Sequence, residues 1–448
     1  MLRGVALVFL ARNFQKLAAL AIQVMIARVL TQEEARQGVG VYALLVQTPT
    51  IVATLASVGL GPAHVHFRGQ GTLTVRQVLG NGVAGSLLFG LAALAVFTLA
   101  RPWLQLDLGN PLLITLVSFS FPVTILISYL DYLWIGEDRM GTYSALYGLR
   151  YLLLPFLLLV AITVPGSTEG KYLGMAIALV ANGLLSLTAS LLAVRREYGL
   201  GLDFRASSFG KAVRYGAHIQ AGSAAQAIGY RFDYFLINGF INVGALGLYT
   251  AATNVAEALW ILPATVSTAL LPRVATKDLQ AAQSATARTC RVVFTISVLA
   301  GAGVFVLAEL LLTYVYRPSF ASAAPALRWL LVGTVVFSLQ KVLANYFIGQ
   351  GKAKWFLWAT ISAMVVNLGI NLVLIPREEW GIVGAALASA VSYTFSTVVL
   401  AVLFLRWSGL RPLDILVPKR ADISVVGARM RGLIRSITAR RRSERAAR

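Results

Sequence analysis

Long apolar runs alternate with short polar breaks along almost the whole chain. Each run is long enough to cross about 30 Å of hydrocarbon at ~1.5 Å per residue. The pattern predicts twelve transmembrane helices, near 8–30, 39–61, 78–100, 111–135, 143–163 and 171–193, then near 214–241, 247–271, 289–315, 325–348, 355–376 and 381–405. The predicted fold class is all-α and polytopic. The domains expected are an N-lobe over 1–193, a linker over 194–213, a C-lobe over 214–405 and a basic tail over 406–448.

Composition agrees with this pattern. The chain of 448 residues is 58% hydrophobic and only 13% charged, too little polar surface to cover a soluble globule. Cys290 is the one cysteine, which excludes internal disulfides and thiolate-rich metal sites. His64, His66 and His218 are too few and too scattered to suggest a zinc site. No phosphate-binding GxxxxGK[ST] motif occurs, and Gly38-Val39-Gly40 and Gly59-Leu60-Gly61 read as loop or helix-packing glycines.

The formal charge of +21 would suit a nucleic-acid binder, but no basic domain stands apart from the apolar spans. Its distribution fits a membrane instead. With a cytoplasmic N-terminus, 27 basic residues fall on the cytoplasmic side and five on the other, as the positive-inside rule requires. Both termini are therefore expected inside, in the cytoplasmic membrane. Met1-Leu2-Arg3-Gly4 leads straight into the first span without a convincing cleavage site, so that span is read as retained.

The chain also repeats itself at about 210 residues. Gly40-Val41-Tyr42 is echoed by Gly247-Leu248-Tyr249, Ile135-Gly136 by Ile348-Gly349, and Gly174-x-Ala176-x-Ala178 by Gly384-x-Ala386-x-Ala388. Each half holds six predicted spans, an even number, so both enter the membrane in the same sense. This predicts two six-helix lobes related by a parallel pseudo-two-fold axis, an arrangement known in transporters.

Two stretches carry a family resemblance. One runs from Ile26-Ala27-Arg28-Val29-Leu30 through Gly40-Val41-Tyr42 to Gly59-Leu60. The other is Arg231-Phe232-Asp233-Tyr234-Phe235-Leu236-Ile237, followed by Leu246 to Ala252, Leu262-Pro263 and Leu271-Pro272. The chain resembles the polysaccharide-transport flippases, which move undecaprenyl-diphosphate-linked oligosaccharides and belong to the multidrug/oligosaccharidyl-lipid/polysaccharide exporter superfamily. The resemblance covers residues 8–405. It implies a V-shaped pair of six-helix lobes, a cationic central cavity and no covalent chemistry.

Charges within spans are costly, at least about 2.5–3.5 kcal/mol each at mid-bilayer, so each requires a reason. The basic ones are Arg12, Lys16, Arg28, Arg150, Arg231, Arg328 and Lys341, and the acidic ones Asp131, Asp233, Glu257 and Glu309. The net +3 favours an anion. Arg12, Lys16 and Gln23 share one helical face, and Arg28 points away from them. Gln220, Arg231 and Asn238 share another face, while Asp233, two residues from Arg231, points elsewhere. Lys16, Arg231, Lys341 and Arg12 are thus candidates for holding a diphosphate, and Gln23, Gln220, Asn238, Asn345 and Asn367 for facing the sugar. Asp233 and Glu257 are candidates for binding a coupling proton or sodium ion. Plainer readings stand beside these: snorkelling for Arg12 and Arg328, an ion pair with Glu257 for Arg231, pairing of Arg150 with Asp131, and interhelical hydrogen bonding for the asparagines.

In the tail, Ile423, Val426, Met430, Leu433, Ile434 and Ile437 follow helical spacing opposite Arg431 and Arg435, which suggests a basic amphipathic helix on anionic inner-leaflet lipids. A solvated, disordered tail is the alternative. The expected function is a non-enzymatic flippase for a lipid-linked saccharide used in surface polysaccharide biosynthesis. No cofactor is expected, and other envelope polysaccharide-synthesis proteins are candidate partners. Three rivals remain open: a multidrug or cation antiporter of the same superfamily, a membrane-embedded polymerase or ligase, and a non-transporting scaffold. Topology is directly testable. Reporter fusions at Gly166 and Glu379 should read outside and those at Ser207 and Arg445 inside; an outside reading at Arg445 would break the even span count.

Overall fold

The structure is a computed structural model that describes residues 2–104, 110–274 and 278–419. Its described residues form helices and connecting turns. In chain order they are α1 (Leu2–Val29), α2 (Gln32–Ala56), α3 (Leu60–Gly69), α4 (Val75–Leu104), α5 (Pro111–Gly136), α6 (Met140–Thr163), α7 (Thr168–Tyr198) and α8 (Ala206–Phe240). There follow α9 (Val243–Ala258), α10 (Ile261–Val274), α11 (Leu279–Val306), α12 (Ala308–Leu311), α13 (Ala324–Gly349), α14 (Ala353–Leu374), α15 (Gly381–Ser408) and α16 (Leu413–Leu416). Single π-helical and 3-10 turns, Leu312–Tyr316 and Pro318–Ala323, join α12 to α13.

Ten stretches among the described residues are long and apolar enough to cross a membrane, and they coincide with expected spans 1–6 and 9–12. The other two expected spans differ in character. The stretch 214–241 lies inside α8, a helix of 35 residues whose apolar content is diluted by Gln220, Gln226, Arg231 and Asp233. The stretch 247–271 is broken at Leu259–Trp260 into α9 and α10. Pro263, third in α10, has no N–H to bond back across that break.

Local chemistry explains the helix ends. The segment 31–38, read from sequence as a loop, instead opens α2. Thr31 accepts the Glu34 N–H and Glu34 returns a bond to the Thr31 N–H, a complete capping box, with Glu33 and Glu34 suited to the positive end of the helix dipole. The same Glu34 binds Lys171 Nζ at 2.9 Å and accepts from the Thr168 hydroxyl at 2.5 Å, so one carboxylate ties the start of α2 to the start of α7. At the end of α1, Arg28 donates to the carbonyls of Tyr314 and Val315, and Arg317 donates back to the Arg28 carbonyl. Arg28 thereby satisfies carbonyls that the irregular 312–316 turn leaves unbonded.

The chain divides into two compact units. The first comprises Met1–Ala258, Val304–Gly333 and Thr360–Tyr393, and the second Leu259–Gly303, Thr334–Ala359 and Thr394–Arg448. The expected linker 194–213 and the start of the expected C-lobe, through Ala258, thus cluster with the first six spans.

The tightest packing within the first unit is at the repeat motif. A Cβ on Gly40 would lie 1.9 Å from the Val243 carbonyl oxygen, and one on Gly247 would lie 1.9 Å from that of Arg36. Both contacts relate a glycine to the residue four before its counterpart, so α2 and α9 cross reciprocally, as two-fold-related elements do. Just beyond the other end of α2, Gly59, at φ +64°, and Gly216 of α8 also approach closely; a Cβ on Gly216 would lie 2.5 Å from the Gly59 carbonyl oxygen.

In the second unit, Tyr346, Phe347, Leu343, Val342, Cys290, Leu400 and Phe404 form a buried core. Residues just beyond α15 are part of it, although the sequence suggested a tail detached from the spans. Ile415 is 2% exposed within that core, and Arg291 Nη1 donates to the Asp414 carbonyl at 2.5 Å. Lys419, at 2.8 Å, and the Arg411 N–H hold the Asp414 carboxyl below the usual carboxylate range. The amphipathic helix expected over 423–437 lies outside the described residues. Replacing Gly247 by leucine should force α9 off α2 and lower the melting temperature in detergent, while leucine at Gly303, where an added Cβ meets nothing within 4 Å, should cost little. Equal melting temperatures for the two variants would contradict the crossing.

Candidate functional site

The in-span charges and amides of the first unit fall into two groups. In one, α8 and α9 face each other through acid–base and hydroxyl contacts. Arg231 grips Glu257 with both guanidinium nitrogens, at 2.6 and 2.9 Å, and lies 5.2 Å from the Tyr234 ring centroid. The charge of Arg231 is therefore matched by the ion pair that sequence offered as its plainer reading. Asp233 does take a different direction. It accepts the Tyr249 hydroxyl at 2.5 Å, and that hydroxyl lies 3.2 Å from Ser389 Oγ of α15. The other carboxylate oxygen, Oδ1, is buried without a hydrogen-bond partner.

From α14, Asn371 donates to Asn367 at 2.9 Å, and Asn367 donates to Ser392 Oγ of α15 at 3.3 Å. Asn371 Oδ1 is likewise buried and unpartnered. Asn367, a sugar-facing candidate, is 4% exposed and bonded between helices. Asn238 is also buried. The stripe Tyr249–Thr253–Glu257 was visible in sequence as one face of a helix. Ser389 and Ser392 were not, because small hydroxyls in an Ala-rich span give no periodic signal.

The second group surrounds α1. Gln15 donates to the Tyr151 hydroxyl at 2.9 Å and accepts from Tyr147, and Arg12 hydrogen-bonds Tyr143. Tyr143, Tyr147 and Tyr151 form a ladder along α6 with ring centroids 5.3 Å apart at each step. Arg150 pairs with Asp131 through two contacts of 3.3 Å. Arg12 and Lys16 occupy exposed positions on α1, and no carboxylate among the described residues lies within ion-pair distance of Arg12. Deeper along α1, Gln23 is buried and accepts from Asn254 of α9. Gln220 of α8 donates to the Thr54 carbonyl of α2. The tyrosine ladder and Gln15 were missed from sequence, although the i, i+4, i+8 spacing of the tyrosines was there to be read.

Lys341 belongs to the second unit. Its ammonium lies 4.9 Å from the Trp260 ring centroid and 4.8 Å from that of Phe337, a cation–π setting. Asn345 turns back to the Lys341 carbonyl at 3.3 Å. Arg328, in the first unit, reaches the Phe305 carbonyl and ring. Among the described residues no three His, Cys, Asp or Glu side chains cluster as metal ligands.

The arrangement is that of a multi-pass membrane protein with the helical fold found in solved flippases and multidrug transporters. Lipid II flippase MurJ in an inward closed conformation is similar to this chain at a TM-score of 0.74 and 12% identity, over 92% of this chain and 89% of that one. A multidrug resistance MATE family transporter in an inward-facing conformation gives a TM-score of 0.70 at 14% identity, over 88% and 94%. The chain belongs to the polysaccharide biosynthesis protein family, whose model matches residues 1–277, and the model of lipid II flippase MurJ matches residues 152–439. A curated relative, the probable lipid II flippase MurJ of Haemophilus influenzae, is 35% identical over 131 residues, a match that spans 28% of this chain and 24% of that relative.

The Arg231–Glu257 pair makes a sharp prediction. Removing one partner of a partly buried pair leaves the other uncompensated, at a cost of about 3–5 kcal/mol. Glu257→Leu and Arg231→Leu should each lower membrane abundance, and the double variant should recover most of it. A double variant no better than the singles would show that the pair is not what holds these residues in the bilayer.

Proposed function

We propose that this protein moves a lipid-linked saccharide across the cytoplasmic membrane by alternating access, in support of surface polysaccharide synthesis, without a covalent step. The observation that carries the proposal is the pair of family matches, which together extend over residues 1–439. The physical setting supports it: in-span basic residues outnumber acidic ones by seven to four, which suits an anionic cargo better than a cationic one. That balance weighs against the antiporter reading, although multidrug transporters share the fold.

Arg12 and Lys16 are the residues proposed to meet the diphosphate first. They lie one turn apart on α1 at exposed positions, and Arg231 would meet a phosphate by exchanging the Glu257 carboxylate for it. Lys341 remains a candidate within its own unit, its charge sheltered by two rings. Among the amides, Gln23, Gln220 and Asn345 are engaged by protein groups and would meet a sugar only by exchanging those partners. Asp233 is the proposed coupling-ion residue. Its Oδ1 is a buried acceptor without a hydrogen-bond partner, which suits a proton or a sodium ion.

Two variants test this reading in proteoliposomes carrying a fluorescent lipid-diphosphate saccharide. Arg12→Ala/Lys16→Ala should slow translocation by about 10-fold or more, since each charge-assisted contact is worth about 1.5–3 kcal/mol. Asp233→Asn should abolish the response to an imposed proton or sodium gradient while leaving substrate binding near normal. Unchanged translocation in a well-inserted Arg12/Lys16 variant would remove α1 from the site, and an unchanged gradient response would remove Asp233.

A further inference from the structure

The connection between α7 and α8 presents a surface that neither the fold nor the proposed transport explains. Residues 201–205 form a connection without regular secondary structure, and Arg205 at its end is extended. Leu200, Leu202 and Phe204 are 52%, 60% and 53% exposed, three large apolar groups close together in the chain, with the Phe204 ring 5.6 Å from that of Phe209. The intervening backbone is pinned. Asp203 N–H donates to the Arg76 carbonyl at 3.0 Å, and a Cβ on Gly80 would meet the Asp203 carbonyl oxygen at 2.4 Å. The Gly199 N–H caps α7 by bonding the Arg195 carbonyl at 3.1 Å. A chain held this firmly does not fold these apolar groups inward.

The surroundings are basic. Over residues 195–214 the chain carries Arg195, Arg196, Arg205, Lys211 and Arg214 against Glu197 and Asp203. Arg205 pairs with Asp203 at 3.3 Å, and Glu197 with Arg139 at 3.5 Å, which uses both acids. Arg195, Arg196, Lys211 and Arg214 are exposed and form no ion pair among the described residues. This differs from Arg68, Arg150, Lys171 and Arg231, each of which has a carboxylate partner.

We propose that the α7–α8 connection is a binding surface for an anionic phospholipid: Leu200, Leu202 and Phe204 enter the acyl boundary while the unpaired arginines beside them hold the headgroup phosphate. Charge complementarity selects this occupant. Apolar groups alone would suit any lipid, and cations alone any anion; the two held side by side on a rigid segment suit a molecule that is apolar at one end and anionic at the other. The site is separate from the in-span residues proposed for transport and does not depend on the nature of the cargo.

The test uses the full chain in neutral detergent with added phosphatidylglycerol, phosphatidylcholine or inorganic phosphate, reading retained lipid by native mass spectrometry and thermal stabilisation in parallel. The unaltered protein should retain phosphatidylglycerol over phosphatidylcholine. In Arg195→Gln/Arg196→Gln that preference should fall by about fivefold per arginine, since each basic residue near an anionic surface contributes about 1 kcal/mol. In Leu200→Ser/Leu202→Ser/Phe204→Ser, retention of both lipids should fall together. Both sets alter exposed side chains, and the melting temperature without lipid confirms that each variant is folded. A charge variant that keeps the full preference overturns the proposal. So does stabilisation by inorganic phosphate equal to that by phosphatidylglycerol, which would mark a free-anion site, or loss of a co-purifying protein with lipid retention unchanged.

Discussion

The reciprocal crossing of α2 and α9 is the constraint on which the first unit depends. Helix axes normally stay about 8–10 Å apart because side chains intervene. At Gly40 and Gly247 nothing intervenes, and each glycine rests on the carbonyl four residues before the other. In a bilayer, where lipid tails are as apolar as leucine, association rests on such close packing rather than on solvent exclusion. The crossing also brings neighbouring polar pairs into register. Gln23 meets Asn254 on α9, and further along α9 Tyr249 and Glu257 meet Asp233 and Arg231 on α8.

Once the helices are fixed, the electrostatics are local. A charge in a low-dielectric interior must be matched by a partner close enough to replace water. Arg231 and Arg150 are matched by carboxylates, Arg28 by the carbonyls of an irregular turn, and Lys341 by ring faces. The groups that remain incompletely matched are therefore informative. Among the described residues they include Arg12, which hydrogen-bonds a tyrosine rather than an acid, and Asp233, with one buried oxygen unbonded. Arg12 sits at an exposed position on α1, whereas Asp233 is buried and bonded to Tyr249 of α9, whose hydroxyl lies against Ser389 of α15.

Much of the fold was legible because membrane spans announce themselves by length and apolarity, and ten of the twelve expected appear where they were read. The two that differ in character, within α8 and across α9–α10, are the ones richest in polar residues, where hydropathy is weakest and a proline can break a helix unnoticed. The repeat was legible through Gly40 and Gly247, although only the structure reveals that these glycines touch each other's segments. Pairings were harder to read. Helical phase separated Arg231 from Asp233, but choosing Glu257 as the partner requires knowing how α8 and α9 rotate against each other. The docking of Ile415 and Asp414 beyond α15 had no signal at all, since a short apolar residue after a span looks the same whether it packs or not.

Gly40 on α2 and Gly59 just beyond its end are two close backbone approaches within the first unit. Gly40 and Gly59 are nineteen positions apart. The helix α2 ends at Ala56, about 24 Å beyond Gly40 at ~1.5 Å per residue, and Gly59 lies in the turn that leads into α3. Gly40 holds α2 against α9 at one end, and Gly59 holds it against α8 at the other. Glycine suits such a contact: with no side chain in between, bare backbone can rest directly on a neighbouring helix.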